Sequence, residues 1–192
     1  MKSPQLSFLK SNNTSYGGSL LKTRKGRARG RVLDTKNSMH LVLRSSKARG
    51  PWSFLRKENQ TAIQSILRKF SSKYGVGILS LANVGNHLHL QIQLSSRHSY
   101  RPFIKAVTGA IAMAVTGVNR WTQNPGKKLK FWDLRPFTRV IFGYRGVLGL
   151  REYIAINKLE GMGVSRAEAA NKVRSKKDSI AAQAKRFAFS TA

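Results

Sequence analysis

Between residues 86 and 94 the chain reads NHLHLQIQL, and His87, His89, Gln91 and Gln93 alternate strictly with Leu88, Leu90, Ile92 and Leu94. A period of two points successive side chains to opposite faces of a β-strand, so the aliphatic set needs a core and the polar set shares the other surface. Histidines at i and i+2 point the same way, roughly 7 Å apart along the backbone, and such imidazoles can converge on one divalent ion through their free nitrogens. The same strand could equally be a polar, nucleic-acid-facing surface without a metal, because H-x-H alone is unspecific. Further on, REYIAINK (151–158) sets Tyr153 and Asn157 four residues apart on one face of a helix, with Ile154 and Ile156 off to its sides. If this helix packs beside the histidine strand, the phenol stands near any ion held there, and the Asn157 oxygen is available as a third ligand. The competing reading is a core tyrosine with its hydroxyl at the boundary.

Composition narrows the chemistry further. Thirty-six Lys and Arg face seven Asp and Glu in 192 residues, a formal net charge of +29. Such a chain attracts polyanions, nucleic acid first and an anionic membrane surface second. No run of about 18 apolar residues is present, so no membrane span is expected. The N-terminal MKSPQLSFLKSNN lacks the apolar core of a signal peptide, and export is not expected. The absence of cysteine excludes disulfides, thiolate zinc sites and cysteine nucleophiles, and it fits a cytoplasmic protein. The acids are Asp34, Glu58, Asp133, Glu152, Glu160, Glu168 and Asp178, with no D-x-D and no compact cluster. Two-metal carboxylate sites and paired-carboxylate hydrolysis are therefore disfavoured. Chemistry on nucleic acid would have to use His, Tyr, Asn or Lys.

The elements that must position these residues follow from periodicity. Residues 1–37, with KTRKGRARGR, show no hydrophobic period and read as a flexible basic arm able to follow a phosphate backbone through Arg24, Lys25, Arg27 and Arg29. A strand is expected over 38–45 and a helix from about Ser53 to Gly75. Strands over 76–84 and through the histidines form a hairpin about the Gly85–Asn86 turn. A second helix is expected over 100–121, a strand over 129–142 bent at Pro136, and a third helix over 146–161. Ser165 with Glu168 starts a basic C-terminal helical tail over 164–192. The order β–α–β–β–α–β–α–α suits an α+β fold, ferredoxin-like, with a central antiparallel sheet and helices on one face.

GNHLHLQIQ followed by YIAIN resembles the HUH superfamily of single-tyrosine transposases, in particular the IS-type and REP-associated branch with one Y-x-x-x-(N/Q) helix. The resemblance covers residues 38 to about 163, and KFWDLRPFTRVI is similar to that family's segment before the tyrosine helix. It implies a metal-dependent nickase and strand-transferase acting on single-stranded or hairpin DNA. By the family pattern His87 and His89 bind Mg²⁺ or Mn²⁺ with Asn157 as third ligand, and Tyr153 is the nucleophile that forms a 5′-phosphotyrosyl link. Three positions depart from the pattern: Lys158 stands where relatives often carry proline, and Gln91 and Gln93 replace more usual apolar or acidic residues. Monomer and homodimer are both open.

Several residues compete or assist. Tyr144, in FGYRG, is a rival nucleophile placed in a loop and without an amide four residues later. His40 could share the polar sheet face, or bind a phosphate or base, or fill space; His98 reads as solvated. Arg135, Arg139 and Arg145 are candidates for the DNA backbone. Trp52, Trp121, Phe131, Trp132 and Phe137 suit stacking on unpaired bases as well as they suit a core. The rival function is a non-catalytic RNA- or DNA-binding module of similar shape, whose charge would be the same.

Overall fold

The computed structural model describes residues 14–23, 30–118 and 130–176. In chain order the elements are β1 (Ser15–Tyr16), α1 (Leu20–Thr23), β2 (Met39–Arg44), α2 (Lys57–Tyr74), β3 (Val76–Asn83), β4 (His87–Leu94), α3 (Tyr100–Thr116), β5 (Phe137–Val140) and α4 (Gly143–Gly161). A further helix, α5, occupies residues 166–176. The strands form one five-stranded sheet in the order β1-β5-β2-β4-β3, and every pairing is antiparallel. The fold is α+β, as the periodicities indicate.

The alternation in β2 and β4 decides which face is which. Met39, Leu41, Leu43, Leu88, Leu90, Ile92 and Leu94 all point to one side and are fully buried there. Against them pack Ile63 and Leu67 of α2, and Phe103, Val107, Ile111 and Val115 of α3, at the four-residue spacing of one helix stripe. Gly75 ends α2 in the left-handed conformation (φ 61°), a position where a side chain is costly, and its N–H caps the last turn. The opposite face carries His40, Val42, Arg44, His87 and His89, and α4 packs over its β3–β4 part. The expectation that all helices share one face is thus corrected: α2 and α3 lie on one side, α4 on the other.

Four boundaries also differ. The strand expected over 129–142 shortens to Phe137–Val140, because Phe131 turns into the core against Phe54 and Trp132 donates to the Thr108 carbonyl. Asp133 then accepts from the backbone N–H and hydroxyl of Ser46, holding this segment off the ladder. The second helix stops at Thr116, where Gly117 takes φ 68°. The helix bearing Tyr153 begins at Gly143 rather than 146. Part of the expected flexible arm carries structure: Ser15 and Tyr16 pair with Arg139 and Thr138. Arg31 lies over the Tyr16 and Tyr100 rings, at 4.4 and 5.0 Å, and donates to Thr138 Oγ1 at 2.6 Å. Arg24, Lys25, Arg27, Arg29 and Trp121 lie outside the described residues. Among the described residues no helix is long and apolar enough to cross a membrane.

Helix α4 comes closest to the sheet at its C-terminal end. A Cβ on Gly161 would stand 2.2 Å from the Asn83 carbonyl oxygen, so only glycine permits this approach of helix to strand. Gly109 of α3, by contrast, is exposed with nothing within 4 Å of an added Cβ. G161A should therefore destabilise the fold by about 1–3 kcal/mol through overpacking. G109A should stabilise it by about 0.5–1 kcal/mol through helix propensity. Urea denaturation of the two variants checks both signs.

Candidate active site

Register brings three histidines together. On the α4 face β2 sets His40 opposite Gln91, Val42 opposite His89, and Arg44 opposite His87. The His40 and His89 rings stack with centroids 5.3 Å apart and planes 17° from parallel, and His40 Nε2 lies 3.1 Å from His89 Nδ1. The His87 ring meets His89 edge-on at 4.7 Å, and its Nδ1 bonds Asn86 Oδ1 at 2.6 Å. An amide oxygen only accepts, so this bond puts the proton on His87 Nδ1 and leaves Nε2 with a bare lone pair. His89 Nε2 is buried without a hydrogen-bond partner. If His89 Nδ1–H donates to His40 Nε2, that atom too is a bare lone pair; the other tautomer would strand a buried N–H, at a cost of about 1–3 kcal/mol.

Burial keeps these rings neutral. Desolvation lowers the His89 pKa to about 3, with the neighbouring His40 and His87 adding to it. Desolvation lowers His40 to about 4, and the Arg139 cation acts in the same direction. His87 is lowered as well, by burial first and then Arg44, with Glu160 opposing. Neutral imidazole is the form that ligates a metal.

Helix α4 supplies the rest. Leu150, Ile154 and Asn157 are its buried stripe, and Leu150 and Ile154 pack with Ile141 on Ala82, the small residue opposite His89. This seats the Tyr153 ring edge-on to His89 at 5.3 Å and to His40 at 5.8 Å while leaving Tyr153 36% exposed. Asn157, one turn on, is buried, and its Nδ2 donates to the Tyr153 carbonyl at 2.7 Å. A cleft of about 530 Å³ opens beside the phenol, lined by His40, Phe137, Arg139, Phe142 and Gly149. Its size is that of a small-molecule site.

The structure thus brings His87, His89 and Tyr153 together and turns Asn157 toward the same sheet face. Tyr144 stands 77% exposed in the first turn of α4, not in a loop, about 13 Å along the helix axis from Tyr153. Arg139 lines the cleft opposite His40, Arg135 lines a neighbouring one, and Arg145 is exposed near the start of α4. Phe131, Trp132 and Trp52 belong to the core, whereas Phe137 faces the site, edge-on to His40 at 6.0 Å. The glutamines of β4 are tied to the segment before β2: Gln91 donates to Ser38 Oγ and Gln93 to the Thr35 carbonyl. His98 is exposed in the turn before α3. Sequence reasoning gave Asn86 only as a turn residue, not as a partner of His87, and did not join His40 to His89. The alternation in SMHLVLRS put His40 on a polar face, but only the register shows whose ring it meets.

A donor set can be tested on these atoms. Among the described residues no group of three or more His, Asp or Glu side chains converges on a cation site. Two free imidazole nitrogens, one of them an orphan in the interior, nevertheless fit a divalent ion whose remaining ligands are amide, substrate or water oxygens.

A five-stranded antiparallel sheet thus carries two histidines on one strand, faced by a helix tyrosine. The model of the IS200-like transposase family matches residues 35–157, more than half of the chain, and the chain belongs to that family. Among solved structures it is similar to a REP-associated tyrosine transposase bound to a REP hairpin, at 13% identity over 69% of this chain and 72% of that one, with a TM-score of 0.54. That likeness is one of fold. A candidate transposase from Deinococcus radiodurans R1 is 20% identical over 70% of this chain and 98% of its own, with a TM-score of 0.40. No curated protein matches in sequence.

The histidine burial predicts acid sensitivity in metal-free protein. The folded-state pKa values of His40 and His89 lie below the unfolded value of about 6.5, so the unfolded chain takes up protons first. The contribution of each ring is complete above pH 6.5 and is lost as pH falls toward 4 and 3. Between pH 7 and pH 5 the loss should be on the order of 2 kcal/mol for each ring. Urea midpoints measured in chelator should fall accordingly, and the fall should shrink in H40Q/H89Q.

Proposed function

We propose that this protein cleaves and rejoins single-stranded or hairpin DNA through a covalent link on Tyr153. The observation that carries this reading is the Tyr153 ring lying edge-on to His89 and His40, beside an imidazole nitrogen that is buried and unpartnered. The Tyr153 oxygen attacks the phosphorus of one phosphodiester and gives up its proton. The bond from phosphorus to the 3′-oxygen breaks, and the 3′-oxygen leaves as a hydroxyl after taking a proton. The 5′-phosphate stays esterified to Tyr153, and attack by a 3′-hydroxyl reverses the step without ATP.

His87, His89 and Asn157 would hold the divalent ion, Mg²⁺ or Mn²⁺. Bound there, it supplies Lewis-acid neutralisation of the non-bridging phosphate oxygens. His40 is a positioning residue: by accepting from His89 Nδ1 it fixes the tautomer and tilt that leave His89 Nε2 free. Asn86 does the same for His87. Arg139 at the cleft and the surrounding excess of cations draw in the phosphate backbone. The similar fold of a transposase bound to a REP hairpin supports hairpin DNA as partner, and family membership supports an enzyme over a binding module.

Incubation with single-stranded hairpin DNA and Mn²⁺, followed by a denaturing gel, tests the reading. Wild type should give a protein–DNA adduct. Y153F should give none while binding the same DNA within about two-fold, since the ring and its contacts stay. An adduct that persists in Y153F sinks Tyr153 as nucleophile, and its absence in wild type leaves only the binding module.

The positioning role has its own readout. H40F should weaken Mn²⁺ binding by about 10–100-fold, and H40Q, which keeps an acceptor, should recover most of it. Calorimetry on the DNA-free protein measures both; equal affinity in H40F and wild type would refute the role.

A further inference from the structure

Beside the cleft at Tyr153 lies a second one of about 550 Å³, lined among others by Gly18, Val42, Arg44, Leu134 and Arg135, and the two share a single wall, the Phe137 ring. Both open on the sheet face that carries the histidines. Phe137 is the strand neighbour of Val42, which in turn is opposite His89, so the ring stands two strands from the histidine strand, with β2 between. It is half-buried and is held edge-on to His40, with ring planes at 77°. Each cleft therefore has an aromatic wall and at least one guanidinium: Arg139 in the first, Arg44 and Arg135 in the second. Asp133 also lines the second cleft, where it accepts from Ser46 and pairs with Arg44, so the guanidinium that this cleft offers to a strand is Arg135.

We infer that the two clefts are subsites for two successive unpaired nucleobases, one on each side of the phosphodiester presented to Tyr153, with Phe137 inserted between them as a wedge. This rests on the reading of the site as one that acts on DNA. Its argument is continuity and charge. Two pockets of small-molecule size meet at Phe137, and each pairs aromatic surface with Arg, the combination that takes stacked bases and their backbone. Successive bases on a strand stack at about 3.4 Å, so a phenyl ring between them forces them apart. A paired duplex, whose bases are held in register on both strands, cannot straddle such a ring without melting. The wedge would thus select an unpaired dinucleotide step before any chemistry occurs.

Adjacent 2-aminopurines give an exciton circular-dichroism band that is present when they stack and lost when they separate. The probe is a single strand of thymidines with one central 2-aminopurine pair, titrated with full-length Y153F so that no cleavage intervenes. Binding should abolish the band. F137A in the same background should leave the band in place and weaken binding roughly ten-fold. F137W, which keeps a flat ring, should restore both, and this guards against a folding defect in F137A. The same strand annealed to its complement should keep its band with every variant. A band that survives binding to Y153F, or is lost equally with F137A, overturns the wedge. Neither result bears on whether wild type forms a tyrosine adduct, so the two readings fail separately.

Discussion

The site depends on how tightly one helix can be pressed onto a face of the sheet that offers it little apolar surface. On the α2–α3 side the sheet presents an unbroken field of Leu, Ile and Met, and burial of that field is what holds the domain together. On the α4 side the apolar contact is a small cluster of Ala82, Ile141, Leu150 and Ile154. What lets α4 settle despite this is lack of bulk. Ala82 sits beneath it opposite His89, and Gly161 allows the helix to touch the Asn83 backbone. Any larger residue at either place would lift the helix and take the phenol away from the imidazoles. Stability and the proposed chemistry are thereby assigned to opposite faces of one sheet, and β4 serves both through its two-residue alternation.

The same burial that seats the helix sets the electrical state of the histidines. A chain with a net charge of +29 would favour neutral imidazole wherever cations are near, and Arg139 and Arg44 act in that sense on His40 and His87. Desolvation is nevertheless the larger cause at each ring. The consequence is a cluster whose lone pairs are available through the neutral range, surrounded by charge that attracts phosphate. Exposed histidines on the same basic surface would be neutral too, but nothing would fix their tautomers. Here Asn86 and His40 occupy the two Nδ1 atoms and leave both Nε2 atoms uncommitted.

Much of this could be read in the sequence because it is local. The alternation over 87–94 and the spacing of Tyr153 and Asn157 are periodicities, and a period names a face regardless of what lies across from it. Identifying His40 as a partner of His89 required the β2–β4 register, which depends on pairing between segments 49 residues apart. The aromatic run before β5 was misleading for a related reason. Phe131 and Trp132 carry strand propensity, but the pocket against Phe54 and the Asp133–Ser46 bonds outweigh the ladder they would otherwise join. The pairing of Ser15 and Tyr16 was hidden because two residues have no measurable period; their place is set by the free edge of β5 and by Arg31 between two tyrosine rings.

The amide of Asn157 shows how the helix joins the proposed nucleophile to the proposed ligand. A carbonyl oxygen can only accept, so the bond to the Tyr153 backbone must come from the amide nitrogen, and this fixes which way the side chain is flipped. The oxygen is left on the far side, on a residue that faces the sheet. Because that bond closes on the residue bearing the phenol, Tyr153 and Asn157 form one rigid unit within a turn of α4. The imidazoles form another, clamped by strand register and by their Nδ1 bonds. The assembly therefore has a single adjustable joint, the contact between helix and sheet. A site made of two rigid halves needs only that contact to be correct, and the small residues at Ala82 and Gly161 are where the sequence sets it.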